Sequence, residues 1–102
     1  MPAVLRETDL HIGHAAPCAP FHRTQYNATH NETVYIDGLL AIVYGDFTAC
    51  GDPTVGKSST VFVNDLGVHR EGDSTAGHGT DPCGSDWVPN AGGPTSSSVY
   101  AG

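Results

Sequence analysis

The stretch "TVYIDGLLAIVYGDFTACG", residues 33–51, has a second copy in "TVFVNDLGVHREGDSTAGHG", residues 60–79. With Thr33 set on Thr60, Val34 meets Val61, Tyr35 meets Phe62, Ile36 meets Val63 and Leu39 meets Leu66. Further on, Gly45, Asp46, Thr48 and Ala49 meet Gly72, Asp73, Thr75 and Ala76. Each copy reads as a hairpin: a β-branched and aromatic run reaches "DG" or "ND", and a second run ends at Gly-Asp. Repetition at a fixed spacing is a structural unit before it is anything else.

The chain ends carry a third copy in two pieces. Near the start, Val4, Arg6, Glu7, Asp9, Gly13 and His14 match Val68, Arg70, Glu71, Asp73, Gly77 and His78, the second half of the unit. At the other end, "SSSVYAG" (96–102) resembles the first half, "KSSTVFVND" (57–65). The expected fold is therefore all-β: a small conical domain of three pseudo-threefold hairpins, one split between the N- and C-termini, in a single unit spanning residues 1–102. Closing three hairpins into a ring also leaves fewer open strand edges to pair with other chains. Residues 15–32 and 79–95 read as irregular loops, the second rich in Gly and Pro. No segment holds a 3.6-residue apolar period over ten residues, so little or no helix is expected.

Composition agrees and removes several functions. Gly and Pro supply 13 and 7 of the 102 residues, and both break helix interiors. The net charge is −7, with four basic residues against eleven acidic ones. A chain so poor in Lys and Arg cannot neutralise a run of phosphates, which argues against nucleic acid and against basic attachment to lipid. Neither a signal peptide nor a membrane span is expected. A domain this small buries a limited core, so a metal ion or a large partner surface would help it fold.

Six histidines and three cysteines point to the metal. Taken singly, each histidine reads as a surface residue; their relative positions decide otherwise. If three hairpins share an axis, then His14, Cys50 and His78, which follow the repeated Asp by four or five residues, converge near it. Nitrogen and thiolate donors in a tetrahedral set suit Zn²⁺ better than the hard, oxygen-seeking cations. The fourth ligand comes from elsewhere. His22, in "PFHRT", is the choice, because the insertion after His14 can fold back over the axis; His11, His30, Cys18 and Cys83 compete with it. Cys18 and Cys83 each follow a proline, and spacing leaves open whether they form a disulfide or stay as two free thiols. His69 lies on a hairpin strand and reads as a surface or packing residue.

These residues also carry a family resemblance. "MPAVLRETD", "SSTVFVNDLGVHREGDSTAGHG" and the terminal "SSSVYAG" resemble the PAAR-repeat proteins, which cap the spikes of contractile injection machines such as phage tails and type VI secretion particles. The resemblance covers nearly the whole chain except much of 15–32. The "GHGTDPC…WVPN" loop points to the phage-tail branch. It implies a conical domain whose base sits on a trimeric β-helical spike, one monomer per trimer, at the tip of the tail baseplate in the virion or at the equivalent tip of an injection particle assembled in the cytoplasm. It also implies one structural zinc near the apex (iron being the other possible metal), held by three histidines and one cysteine, a count met by His14, His22, Cys50 and His78. No small-molecule substrate follows, and contact with the target cell's outer membrane would be brief. Asp65 and Thr8 depart from the pattern, each standing where the family usually has glycine.

On this reading the apolar hairpin faces dock on the trimer, with Val34, Ile36, Val61 and Val63 as the candidates on alternating positions. Two other readings compete. An adaptor would carry an effector or another protein on its loops, above all 79–95. A small zinc hydrolase would need an open metal position and a base such as Asp81 or Asp86. Four protein ligands close the site, and no HExxH-like pattern exists, so an enzyme is not expected.

Overall fold

Two turns open the structure. At Asp37-Gly38 the φ angles are 53° and 85°, and at Asn64-Asp65 they are 53° and 65°. Positive φ at both central residues is the geometry of the tight turns that match strand twist. Asn and Asp tolerate it best among residues with a side chain, which is how Asp65 stands where glycine is usual. In the computed structural model, which describes residues 1–16, 19–76 and 91–102, these turns join β4 (Tyr35–Ile36) to β5 (Leu39–Leu40) and β7 (Phe62–Val63) to β8 (Leu66–Gly67). The remaining strands are β1 (His14–Ala16), β2 (Ala19–His22), β3 (Tyr26–Asn27) and β6 (Phe47–Thr48). Among the described residues there is no helix, and the domain is all-β.

The third hairpin is the split one. Tyr100 pairs with Ala3 as Tyr35 pairs with Leu40 and Phe62 with Gly67. The same amide-to-carbonyl bond recurs in all three, from Ala41 to Val34, from Val68 to Val61 and from Val4 to Val99, at 3.1, 3.1 and 2.8 Å.

The hairpins are then joined in a ring. Bridges link Val4 to Arg70, Ala41 to Arg6 and Val68 to Val43, each to the next repeat. Nearest the axis the amide of Leu5 donates to His69 O, that of His69 to Ile42 O and that of Ile42 to Leu5 O, at 3.0, 2.9 and 2.9 Å. A second cycle runs from Glu7 to Leu40, Tyr44 to Gly67 and Glu71 to Ala3. Closed cycles pair the amides and carbonyls that face the axis, the condition for placing backbone in a core.

Each repeat turns back at its Gly-Asp. The carboxylates of Asp9, Asp46 and Asp73 accept the amides of Arg6, Val43 and Arg70 at 2.9, 2.9 and 2.8 Å. The residue before the Asp has φ of 94° at Gly45 and 85° at Gly72, and Thr8 is forced to 80°. Beyond the turn the chain returns to pair with the following repeat: Tyr26 with Thr48, Thr54 with Thr75 and Gly92 with His11. The expectation of an irregular 15–32 loop is therefore corrected. That insertion holds β1–β2 and β3, because its backbone must satisfy the return position that Thr54 and Gly92 fill elsewhere.

Two apolar clusters fill the ring. Val4, Ile36, Ala41, Val43, Val63, Val68 and Ala101 pack between the hairpins; Leu5, Ile42 and Tyr26 pack on the axis. His69 takes the axial place that Leu5 and Ile42 hold in the other repeats, and it is fully buried. Its Nδ1–H donates to Gly56 O at 2.6 Å, and Nε2 accepts from the Tyr26 hydroxyl at 3.0 Å. Burial pushes its pKa below the ordinary histidine value, as this neutral arrangement requires. Of the two roles the sequence allows for His69, packing is the one it has.

Candidate metal centre

The insertion puts two of the expected ligands opposite each other. β1 and β2 are antiparallel, with His14 and His22 as register partners and an irregularity before Ala16 and Ala19. Register partners on antiparallel strands stand opposite each other along the backbone, so the chain brings two nitrogen-donor residue types to one stretch of the ladder.

Cys50 enters the same neighbourhood from the next repeat. It follows β6, which lies beside β3 and so beside the chain leaving His22. Its amide donates to Thr24 Oγ1 at 3.3 Å, and the neighbouring Ala49 amide donates to Gln25 O at 2.8 Å. The thiol is half-buried, 3.1 Å from Thr48 Oγ1 and 3.7 Å from His11 Nε2. The structure thus gathers the backbones of His14 and His22 and the side chain of Cys50.

His78 lies outside the described residues, as do Cys18 and Cys83, and with them the question of a disulfide. Asp81 and Asp86 of the hydrolase reading lie there too, with most of the 79–95 loop. Among the described residues, no group of three or more His, Cys, Asp or Glu side chains converges on a metal position.

Two competitors are already engaged. His11 is fully buried, with Nδ1 accepting the Gly13 amide at 2.9 Å and Nε2 lying 2.9 Å from both the amide nitrogen and the hydroxyl of Thr24. His30 is half-exposed and its Nδ1 sits 2.9 Å from Asp46 Oδ1. The Thr29 amide, the Thr29 hydroxyl and the His30 amide bond that same carboxylate oxygen. Asp46 is fully buried, and these donors do for it what Arg6 does for Asp9 and Arg70 for Asp73.

The expected docking face needs correction. Ile36 and Val63 lie in the core at 7% and 9% exposure, whereas Val34 and Val61 are exposed. Alternation fails because a side-chain turn bends the chain before each valine. Asn31 Oδ1 accepts the amides of Thr33 and Val34, and Ser58 Oγ those of Thr60 and Val61. What the sequence reading missed is the aromatic set at equivalent positions, Tyr35, Phe62 and Tyr100, exposed by 60%, 53% and 58%. The Tyr35/Phe62 match was the signal available.

No protein-family model matches the chain, and neither curated proteins nor solved structures give a match.

Proposed function

We propose that this domain is the metal-stabilised tip of a trimeric spike in a contractile injection machine, as its resemblance to PAAR-repeat proteins implies. The observation that supports the reading best is the exposed aromatic set. Tyr35, Phe62 and Tyr100 stand at the same position of three hairpins closed in a ring, each next to an exposed valine: Val34, Val61 or Val99. Three equivalent apolar contacts around one axis match the blunt end of a threefold-symmetric trimer. Aromatic side chains in such a position supply most of the binding energy per residue. The apolar base is also where a monomer would otherwise expose more hydrophobic surface than solubility favours.

At the other end His14, His22, Cys50 and His78 would hold a zinc ion, whose binding free energy adds to that of folding. What supports this is the backbone arrangement: the β1–β2 register sets His14 opposite His22, and the β3–β6 pairing carries the chain on to Cys50, whose amide bonds Thr24. Such cross-linking would stiffen Gly-rich loops for passage through a cell envelope, with no reaction chemistry required.

Mixing the purified chain with a trimeric β-helical spike tests the reading. One chain is expected per trimer, and replacing Tyr35, Phe62 and Tyr100 together by Ser is expected to abolish the complex while circular dichroism stays unchanged. Three chains per trimer, or undiminished binding by the triple variant, would overturn it.

A further inference from the structure

His11 stands at a repeat position whose equivalents are Thr48 and Thr75, and all three are buried. Both threonines bond to Asp52: Thr48 Oγ1 accepts its amide at 3.1 Å, and Thr75 Oγ1 donates to its Oδ2 at 2.6 Å. An imidazole in the same place has a different set of partners, and that set is specific. Nδ1 takes the amide of Gly13, the residue before His14. Nε2 meets Thr24, two residues after His22, and Thr24 Oγ1 in turn takes the amide of Cys50. The backbone of His11 adds to this, its amide donating to Thr24 O at 3.3 Å and its carbonyl accepting from Arg23 Nε at 3.0 Å. The segments that carry His14 and His22 are thus tied to one buried ring, and that of Cys50 is tied to it through Thr24.

We propose that His11 is the positioning residue of the metal centre, holding the chain at His14, His22 and Cys50 in place, and that it is not itself a ligand. This rests on the metal-centre reading above. A ligand nitrogen must offer its lone pair to the ion; in His11 the Nδ1 lone pair takes the Gly13 amide, which leaves the ring proton on Nε2, 2.9 Å from Thr24 Oγ1 and 3.7 Å from Cys50 Sγ. Gly13 shows how closely those segments fit. It has φ of 96°, and a side-chain carbon placed there would collide with the Phe21 ring and the Arg23 stem. A locked approach of this kind lowers the ordering cost that each ligand would otherwise meet on binding the ion. Partners that orient metal ligands typically change affinity by roughly 10–100-fold when removed.

The test uses the full chain, freed of metal under reducing conditions and titrated with Co²⁺, then with Zn²⁺ in competition. Cobalt reports its ligand set through its visible d–d bands and its thiolate charge-transfer band. His11→Thr, which restores the residue of the other repeats, and Thr24→Val are each expected to weaken binding roughly 10–100-fold, with band positions and intensities as in the wild type. A shifted d–d spectrum in His11→Thr would make His11 a ligand and overturn the proposal; unchanged affinity in both variants would overturn it equally. Should His11→Thr fail to fold, Thr24→Val alone decides. A wild-type chain that takes up neither ion would sink the metal-centre reading itself, a different result from variants that match a metal-binding wild type.

Discussion

At the hairpin end, Val4, Ala41 and Val68 hold the same place in three repeats, and one kind of bridge and one kind of amide bond secures each of them. At the loop end the matching places belong to His11, Thr48 and Thr75, and no two are held alike. The chain between the repeated Asp and its return strand also differs, running from Asp46 to Thr54 in one repeat but from Asp9 to Tyr26 and from Asp73 to Gly92 in the others. Backbone bonds closed in a ring demand only shape, so aliphatic residues can repeat there. Loops of unequal length cannot share one solution, so polar side chains tie each of them separately.

The comparison breaks most visibly on the axis. Ile42→Ala removes a fully buried side chain between Leu5 and Tyr26. It should cost about 2–5 kcal/mol in denaturant unfolding, which for so small a domain approaches the whole of its stability. A loss under about 1 kcal/mol would mean that the ring is held mainly by its backbone bonds.

His69 sharpens the comparison by placing a titratable ring among aliphatic equivalents. Burial lowers its pKa in the folded chain, the nearby Gly56 carbonyl, Asp73 and Asp46 opposing the shift and Arg70 adding to it. The unfolded chain therefore binds the proton first as pH falls. Stability should be complete above pH 6.5, the ordinary histidine value, and lost as pH drops from there through the folded value. Thermal unfolding followed from pH 7.5 to 5 checks this. In His69→Leu that part of the pH dependence should vanish; an unaltered profile would assign it to other groups.

The smallest effect lies at Thr8, the one Gly-Asp turn without its glycine. A β-branched residue at φ of 80° is strained, and Thr8→Gly should raise stability by about 0.5–1 kcal/mol. The same exchange reversed, Gly72→Thr, should lose a similar amount.

Much of this was legible in the sequence because the turns are chemical. "DG", "ND" and Gly-Asp announce positive φ and a carboxylate cap, and the paired β-branched and aromatic residues beside them announce strands. The split hairpin followed from matching halves. The 15–32 insertion was not legible: β1, β2 and β3 are too short for a period of two to appear, and their partners, such as Thr48 for Tyr26, are distant in the chain. The exposure of the four expected docking residues was half legible. Val34 and Val61 are at the surface, but Asn31 and Ser58 bend the chain so that Ile36 and Val63 turn inward. Of the expected site, the pairing of His14 with His22 along the backbone and the approach of Cys50 to Thr24 involve residues that the sequence singled out; the buried place of His11 was not legible, since a histidine that bonds backbone amides reads in a sequence like any other.

The split hairpin has a topological consequence. Residue 102 falls where Asp37 and Asn64 stand in the other hairpins, and residue 1 where Gly38 and Asp65 stand, while Ala101 donates its amide to Pro2 O at 3.0 Å. Residues 102 and 1 thus take the two central positions of such a tight turn. A chain permuted to join them and opened between Asp37 and Gly38 would trace the same ring, so the ring of backbone bonds does not depend on the order in which the three repeats follow one another.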